Sequence, residues 1–205
     1  MKRFSLLISL LCIMSLSAFS LTGNEVLNKM IQTYKSSKGI AANYTIVAQD
    51  GRSKGSIVMQ GDKFRMASSD LLCWYNGKTQ WSYSTMSGEV NIMEPTNEEL
   101  QIVNPFSIIS NFQNAYNASL LTSRNNASLE VKLTPKSSAG SDVKSVVMTV
   151  AKSSYLPSKI VFTMKDNSVF SISLSQYQTG ANFPASLFVY DKKMVPAGTP
   201  VIDLR

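Results

Sequence analysis

The sequence contains no histidine, which is the commonest general base and metal ligand in proteins. Triads that combine a serine or cysteine nucleophile with histidine are therefore excluded. Cysteine is almost as scarce, since the chain has only Cys12 and Cys73. Cys12 lies in an N-terminal apolar run, which leaves Cys73 without a partner for an internal disulfide. We expect Cys73 to be a small buried hydrophobic residue in a strand. The sequence predicts no metal site and no cofactor.

Charged residues are also sparse, at 16% of the chain, with 20 basic and 13 acidic side chains. A pair of carboxylates is able to hydrolyse glycosides, but Glu98 and Glu99 fit the first turn of a helix, where they complement its dipole. The basic residues are scattered, and the longest basic run is Lys192-Lys193. These patterns predict a protein that is not an enzyme and binds no nucleic acid. A mild attraction to anionic lipid headgroups remains open.

Long apolar runs are absent except at the N-terminus. The run from Phe4 to Leu16 is shorter than the roughly 20 residues of a transmembrane helix. Lys2-Arg3 precede it and Ala18-Phe-Ser20 follow it, which is the pattern of a secretory signal peptide. We expect cleavage after Ser20, so that residues 1–20 are removed and residues 21–205 form a single exported, soluble domain.

Alternation of apolar and polar residues dominates the stretch from Lys54 to Met93. This period of two predicts antiparallel strands with one apolar face. The apolar members of the pattern are Ile57 and Met59, Phe64 and Met66, Leu72 and Trp74, Trp81 and Tyr83, and Val90 and Ile92. Asn76-Gly77 is the strongest hairpin signal in the chain.

Helical spacing occurs in two places. Residues 24–38 carry Val26, Leu27, Met30, Ile31 and Tyr34 on one face of a predicted helix. Thr96 and Glu99 form a predicted capping box before two short helical pieces, which are hinged at Asn104-Pro105. From Leu120 onward the period of two returns. The whole is a mainly β protein with some α-helix, built either as a sandwich or as one curved sheet around the helices; the pattern leaves both open.

Four segments in this order resemble the outer-membrane lipoprotein carrier family (LolA-like). They are Gly61-Asp-Lys-Phe-Arg65, Asn76-Gly-Lys-Thr-Gln-Trp81-Ser-Tyr83, Asn104-Pro-Phe-Ser-Ile-Ile109 and Val201-Ile-Asp-Leu-Arg205. The resemblance implies an incomplete, half-open antiparallel β-barrel of about 10–11 strands, with helices forming a lid on its concave side. It also implies a monomeric periplasmic carrier. Such a carrier takes lipoprotein acyl chains from an inner-membrane lipoprotein-releasing transporter to an outer-membrane acceptor.

The resemblance and the apolar pattern together suggest two groups of site residues. The expected lining of the acyl-chain cavity is Ile57, Met59, Phe64, Met66, Trp74, Trp81, Tyr83 and Ile92. The expected lid residues are Ile102, Phe106, Ile109, Phe112, Leu27, Met30 and Ile31. One departure from the family is that Met59-Gln60-Gly61 stands where its best-known branch has an arginine that latches the lid. An envelope sensor or scaffold that uses the same barrel to bind another protein is the alternative function.

Overall fold

The computed structural model describes residues 21–96, 99–100, 112, 114–123, 125–137 and 142–205. The expected signal peptide, residues 1–20, lies outside these ranges. Within them the chain forms the helix α1 (Gly23–Ser36), two 3₁₀ turns (Ala185–Phe188 and Lys192–Met194) and twelve strands. The strands are β1 (Ile40–Ala48), β2 (Gly51–Gln60), β3 (Lys63–Ser68), β4 (Leu71–Tyr75), β5 (Gln80–Ser84), β6 (Glu89–Met93), β7 (Tyr116–Leu121), β8 (Ser128–Pro135), β9 (Val143–Ala151), β10 (Pro157–Met164), β11 (Val169–Thr179) and β12 (Val201–Asp203).

All twelve strands belong to one sheet, in the order β12-β6-β5-β4-β3-β2-β1-β11-β10-β9-β8-β7. Two antiparallel meanders, β1 to β6 and β7 to β11, meet where β1 pairs with β11. Only β12 runs parallel to its neighbour, β6. The described strands form an open sheet with β12 and β7 as its edges. The predicted mainly β fold with an open sheet is confirmed, and the sandwich alternative is wrong.

Helix α1 crosses one face of this sheet, which we call the helix-side face. Its N-terminus lies so close to β7 that a Cβ on Gly23 would be 2.9 Å from the Ser119 carbonyl carbon. At its other end the Tyr34 hydroxyl donates a hydrogen bond of 2.7 Å to the Gly61 carbonyl in the β2–β3 turn. Since these anchors belong to different meanders, α1 holds the two halves of the sheet together.

The apolar side of the sheet changes at β4. Phe64 and Met66 of β3 face α1, and their partners across the ladder are Tyr75 and Cys73. The intervening residues Leu72 and Trp74 therefore point to the opposite, second face. Strand β4 is apolar on both faces, whereas the apolar residues of β5 and β6 lie mainly on the second face: Trp81, Tyr83, Val90 and Ile92. The prediction of a single apolar face for this stretch is wrong.

The chain after β11 covers the apolar part of the second face. Its first 3₁₀ turn packs on β3 and β4, and Phe188 in that turn is fully buried. Farther on, Tyr190 and Val195 form a separate apolar cluster with Trp74, Tyr83 and Val90. The Trp74 and Tyr190 rings meet edge to face, with 5.6 Å between their centroids. This C-terminal cover ends as β12 beside β6.

No helix in the described ranges is both long enough and apolar enough to span a bilayer.

The end of α1 gives a stability prediction. Lys38, exposed and just beyond the C-cap Ser37, has φ of +54°, in the left-handed region that glycine adopts without strain. We expect Lys38→Gly to raise the free energy of unfolding by about 1 kcal/mol in urea denaturation. Gly39→Ala is the contrasting control, because its Cβ would lie 2.6 Å from the Ala181 carbonyl oxygen and must destabilise the protein. Equal effects of the two changes would contradict this account.

Candidate functional site

The helix-side face is the candidate binding surface. Four of the eight expected lining residues lie on it, namely Ile57, Met59, Phe64 and Met66, and none is more than 5% exposed. They belong to one core with Val26, Leu27 and Met30 of α1, and Ile31 packs against the edge of that core. The residues predicted on this helix and these four residues of the sheet therefore share one core.

The other four expected lining residues lie on the second face. Trp74 pairs with Trp81 across β4 and β5, and Tyr83 and Ile92 follow on the same side. Their assignment to the same cavity as Phe64 is wrong, because the apolar side changes at β4. The uninterrupted apolar run of β4, Leu71-Leu-Cys-Trp-Tyr75, is the signal in the sequence for a strand buried on both faces.

Both ends of the predicted lid segment reach the core of the helix-side face. The capping box at its start is confirmed: the Thr96 amide and hydroxyl donate to Glu99 Oε2 at 2.7 and 3.0 Å, and the Glu99 amide donates to Thr96 Oγ1 at 3.3 Å. Leu100 packs against the core, and Phe112 is fully buried within it. The remaining predicted lid residues, Ile102, Phe106 and Ile109, lie outside the described residues.

The Gln60-Gly61 pair contacts both covers of the sheet. The Gly61 carbonyl holds α1 through Tyr34, as described above. The Gln60 side chain accepts a hydrogen bond of 2.7 Å from the Phe183 amide and donates one of 3.3 Å to Asn182 Oδ1. Here neutral hydrogen bonds, rather than a charged side chain, fix the ends of the two covers at one turn.

A row of side chains crosses the helix-side face from β6 to β1. Its members are partners along successive ladders: Met93, Gln80, Tyr75, Phe64, Met59 and Ile40. The rings of Phe64 and Tyr75 are 5.3 Å apart at their centroids. Gln80 is the one amide in an otherwise apolar or aromatic row, and it is almost completely buried.

Titratable groups on this face are held neutral. Burial raises the pKa of the Cys73 thiol to about 12, so that it stays protonated at neutral pH and is a poor nucleophile. Burial, followed by the charge of Asp62, raises the pKa of Tyr75. Among the described residues, no three His, Cys, Asp or Glu side chains are grouped as metal ligands. The face therefore presents apolar surface and neutral hydrogen-bonding groups.

Several solved structures are similar to this fold. An uncharacterized conserved protein from Thermus thermophilus has a TM-score of 0.59 and 12% identity, covering 88% of this chain and 98% of its own. A DUF1329 family protein from Desulfovibrio piger has a TM-score of 0.52 and 11% identity, covering 85% and 98%. A putative outer membrane lipoprotein-sorting protein domain from Vibrio parahaemolyticus has a TM-score of 0.49 and 11% identity, covering 81% and 95%.

The sequence comparison identifies the family. The model of the family described as outer membrane lipoprotein carrier protein LolA matches residues 16–167, and the chain belongs to that family. The match includes α1, the Asn76-Gly77 hairpin and both ends of the predicted lid segment, and it stops before the C-terminal cover. The Val201–Arg205 part of the resemblance therefore lies beyond the matched residues. No curated protein matches the sequence.

Two matching capping boxes give a pH prediction. Thr22 and Glu25 at the start of α1 repeat the geometry of Thr96 and Glu99, and hydrogen bonds from the threonine amides, then the hydroxyls, lower the pKa of both carboxyls. The unfolded chain therefore binds these protons more readily, and the stabilisation is complete above about pH 5 and lost as pH falls below about 4.

The test is urea denaturation at pH 6 and pH 3. We expect the double variant Glu25→Gln/Glu99→Gln to lose less stability than the wild type on acidification, since glutamine still caps but does not titrate. Glu89→Gln/Glu130→Gln is the matched control, which removes two carboxylates and leaves both boxes intact. An unchanged pH dependence in the first variant would contradict the assignment.

The second face gives a spectroscopic prediction. Trp74 is 1% exposed and is one of only two tryptophans, so removal of the covering ring by Tyr190→Ala should shift the fluorescence emission to longer wavelength. The lost packing should lower the free energy of unfolding by about 2 kcal/mol. Tyr155→Ala, at the β9–β10 turn against Lys29, is the control that leaves the emission unchanged. An unshifted Tyr190→Ala spectrum would show that the C-terminal cover does not shield Trp74.

Proposed function

We propose that residues 21–205 form a single-domain periplasmic carrier that binds the acyl chains of lipoproteins against the helix-side face and is not an enzyme. The proposal is supported by one observation: the chain belongs to the lipoprotein carrier family, and its helix-side face is apolar and covered. The described parts of that cover are α1 and, from the predicted lid segment, Leu100 and Phe112. An acyl chain reaches the face by displacing the lid segment while α1 stays anchored at both ends.

The side chains beneath the cover suit a changing occupant. Met59 and Met66 lie on the sheet side and Met30 on the helix side of the same core. Methionine is unbranched and flexible, so that these three side chains fill the space in the closed state and rearrange around a hydrocarbon chain. Ile57 and Phe64, also in our proposed lining, supply the stiffer apolar surface.

The cargo can be released only if binding it also has an unfavourable free-energy contribution. Burying a methylene gives about 0.8 kcal/mol, so an acyl chain with about 14 methylenes would gain about 11 kcal/mol and leave very slowly. Displacing Leu100 and Phe112 from the core exposes apolar surface and offsets part of this gain. Ile102, Phe106 and Ile109 complete the proposed lid. The cargo then passes from an inner-membrane lipoprotein-releasing transporter to an outer-membrane acceptor, with the carrier acting as a monomer.

The cargo is tested by isolating the protein from the periplasm and analysing what is bound to it by mass spectrometry. Acylated peptides in stoichiometric amounts would support the carrier. A protein partner retained without any acyl group would contradict it and would favour the sensor or scaffold alternative.

Ligand binding should also stabilise the fold. At a concentration about 100 times its dissociation constant, a synthetic triacylated lipopeptide should add about 2.7 kcal/mol to the free energy of unfolding. For a chain of this size that corresponds to a Tm increase of about 5–10 °C. Differential scanning calorimetry measures the shift, with the same peptide lacking acyl groups as control. A shift of equal size with the unacylated peptide would show that the acyl chains are not what binds.

A further inference from the structure

Gln80 has a hydrogen-bonding group that the protein leaves unused. The residue is only 4% exposed, and its side-chain carbonyl oxygen Oε1 has no hydrogen-bond partner among the residues that the structure describes. The amide nitrogen Nε2 reaches only the Met93 thioether sulfur, at 3.6 Å, which is a weak acceptor. A buried carbonyl that has lost water without gaining a donor destabilises a protein. This acceptor therefore requires a physical explanation.

The position of Gln80 connects it to the proposed binding surface. Its ladder partner Tyr75 stands next to Phe64 and then Met59 on the helix-side face. Neighbouring strands are about 4.8 Å apart, so these three residues continue the row for about 14 Å beyond Gln80. A hydrocarbon chain along the row would have its polar linkage at Gln80 and its methylenes on aromatic and thioether groups.

The chemistry of the Gln80 Oε1 atom decides which acyl linkage, amide or ester, fits this position. An oxygen acceptor needs a donor, and the N–H of an amide supplies one, whereas an ester linkage has only acceptors. We propose that Gln80 Oε1 accepts a hydrogen bond from the N–H of an amide-linked acyl chain, which makes Gln80 the residue that selects N-acylated over O-acylated lipid. This inference rests on the proposed carrier function and adds to it the class of acyl linkage that the site prefers.

A matched pair of ligands isolates this hydrogen bond. N-methyldodecanamide and methyl dodecanoate differ only in N–H against O at the linkage, and each is titrated against the protein loaded with a fluorescent fatty-acid probe. We expect the wild-type protein to bind the amide about tenfold more tightly, because the ester leaves Oε1 without a donor. In Gln80→Leu the ratio should fall to unity or reverse, because the amide N–H then has no acceptor.

Two further variants control the experiment. Gln178→Leu removes the same amide from an exposed position on β11 and should keep the tenfold ratio. Gln80→Met, closest in shape to glutamine, repeats the measurement if the leucine variant unfolds. Equal binding of the two ligands by the wild-type protein, or preference for the ester, would overturn the role of Gln80 while acyl binding stands. Failure of both ligands to displace the probe would overturn the carrier proposal and this inference together.

Discussion

Strand β4 is apolar on both faces, and the rest of the structure has to bury both of them. Because Leu71, Cys73 and Tyr75 point one way and Leu72 and Trp74 the other, no single cover can bury this strand. Toward β1 the apolar surface continues on the helix-side face, and toward β6 it continues on the second face. The chain therefore has two covers, with α1 and the ends of the lid segment on one side and the residues after β11 on the other.

Both covers are continuous with strands of the sheet. The C-terminal cover is continuous with the sheet at both ends, since it leaves β11 and returns as β12 on β6. On the helix side, α1 leads directly into β1, and the predicted lid segment lies between β6 and β7 in the chain. The side chains of Val26, Leu27 and Phe112 are fully buried in the helix-side core, and the Tyr34 hydrogen bond to Gly61 adds a contact at the end of α1. The C-terminal cover therefore adds a strand to the sheet, whereas the described contacts on the helix side are made by side chains.

Much of this organisation is visible in the sequence. Helix α1, the capping box at Thr96, the Asn76-Gly77 hairpin and the period-two strands are local patterns, and local sequence determines them. The change of apolar side at β4 is not local. A period of two shows that Trp81 and Tyr83 share a face but not which face, because the count restarts at every turn. The register across β3, β4 and β5 fixes that choice. The bonds of Gln60 and the unpartnered oxygen of Gln80 likewise depend on contacts between distant segments.

The constraint at β4 also explains why a polar side chain is buried on the helix-side face. Strands β5 and β6 direct their apolar residues, except Met93, to the second face, so their alternate residues, among them Gln80, Ser82 and Asn91, lie on the helix-side face. At one border of the helix-side core the surface therefore changes from Phe64 and Tyr75 to hydrogen-bonding groups within two strands. A uniformly apolar face would hold hydrocarbon without fixing its direction. This boundary gives the face a polar end and an apolar interior, which is the polarity that a lipid with one head and a long chain requires.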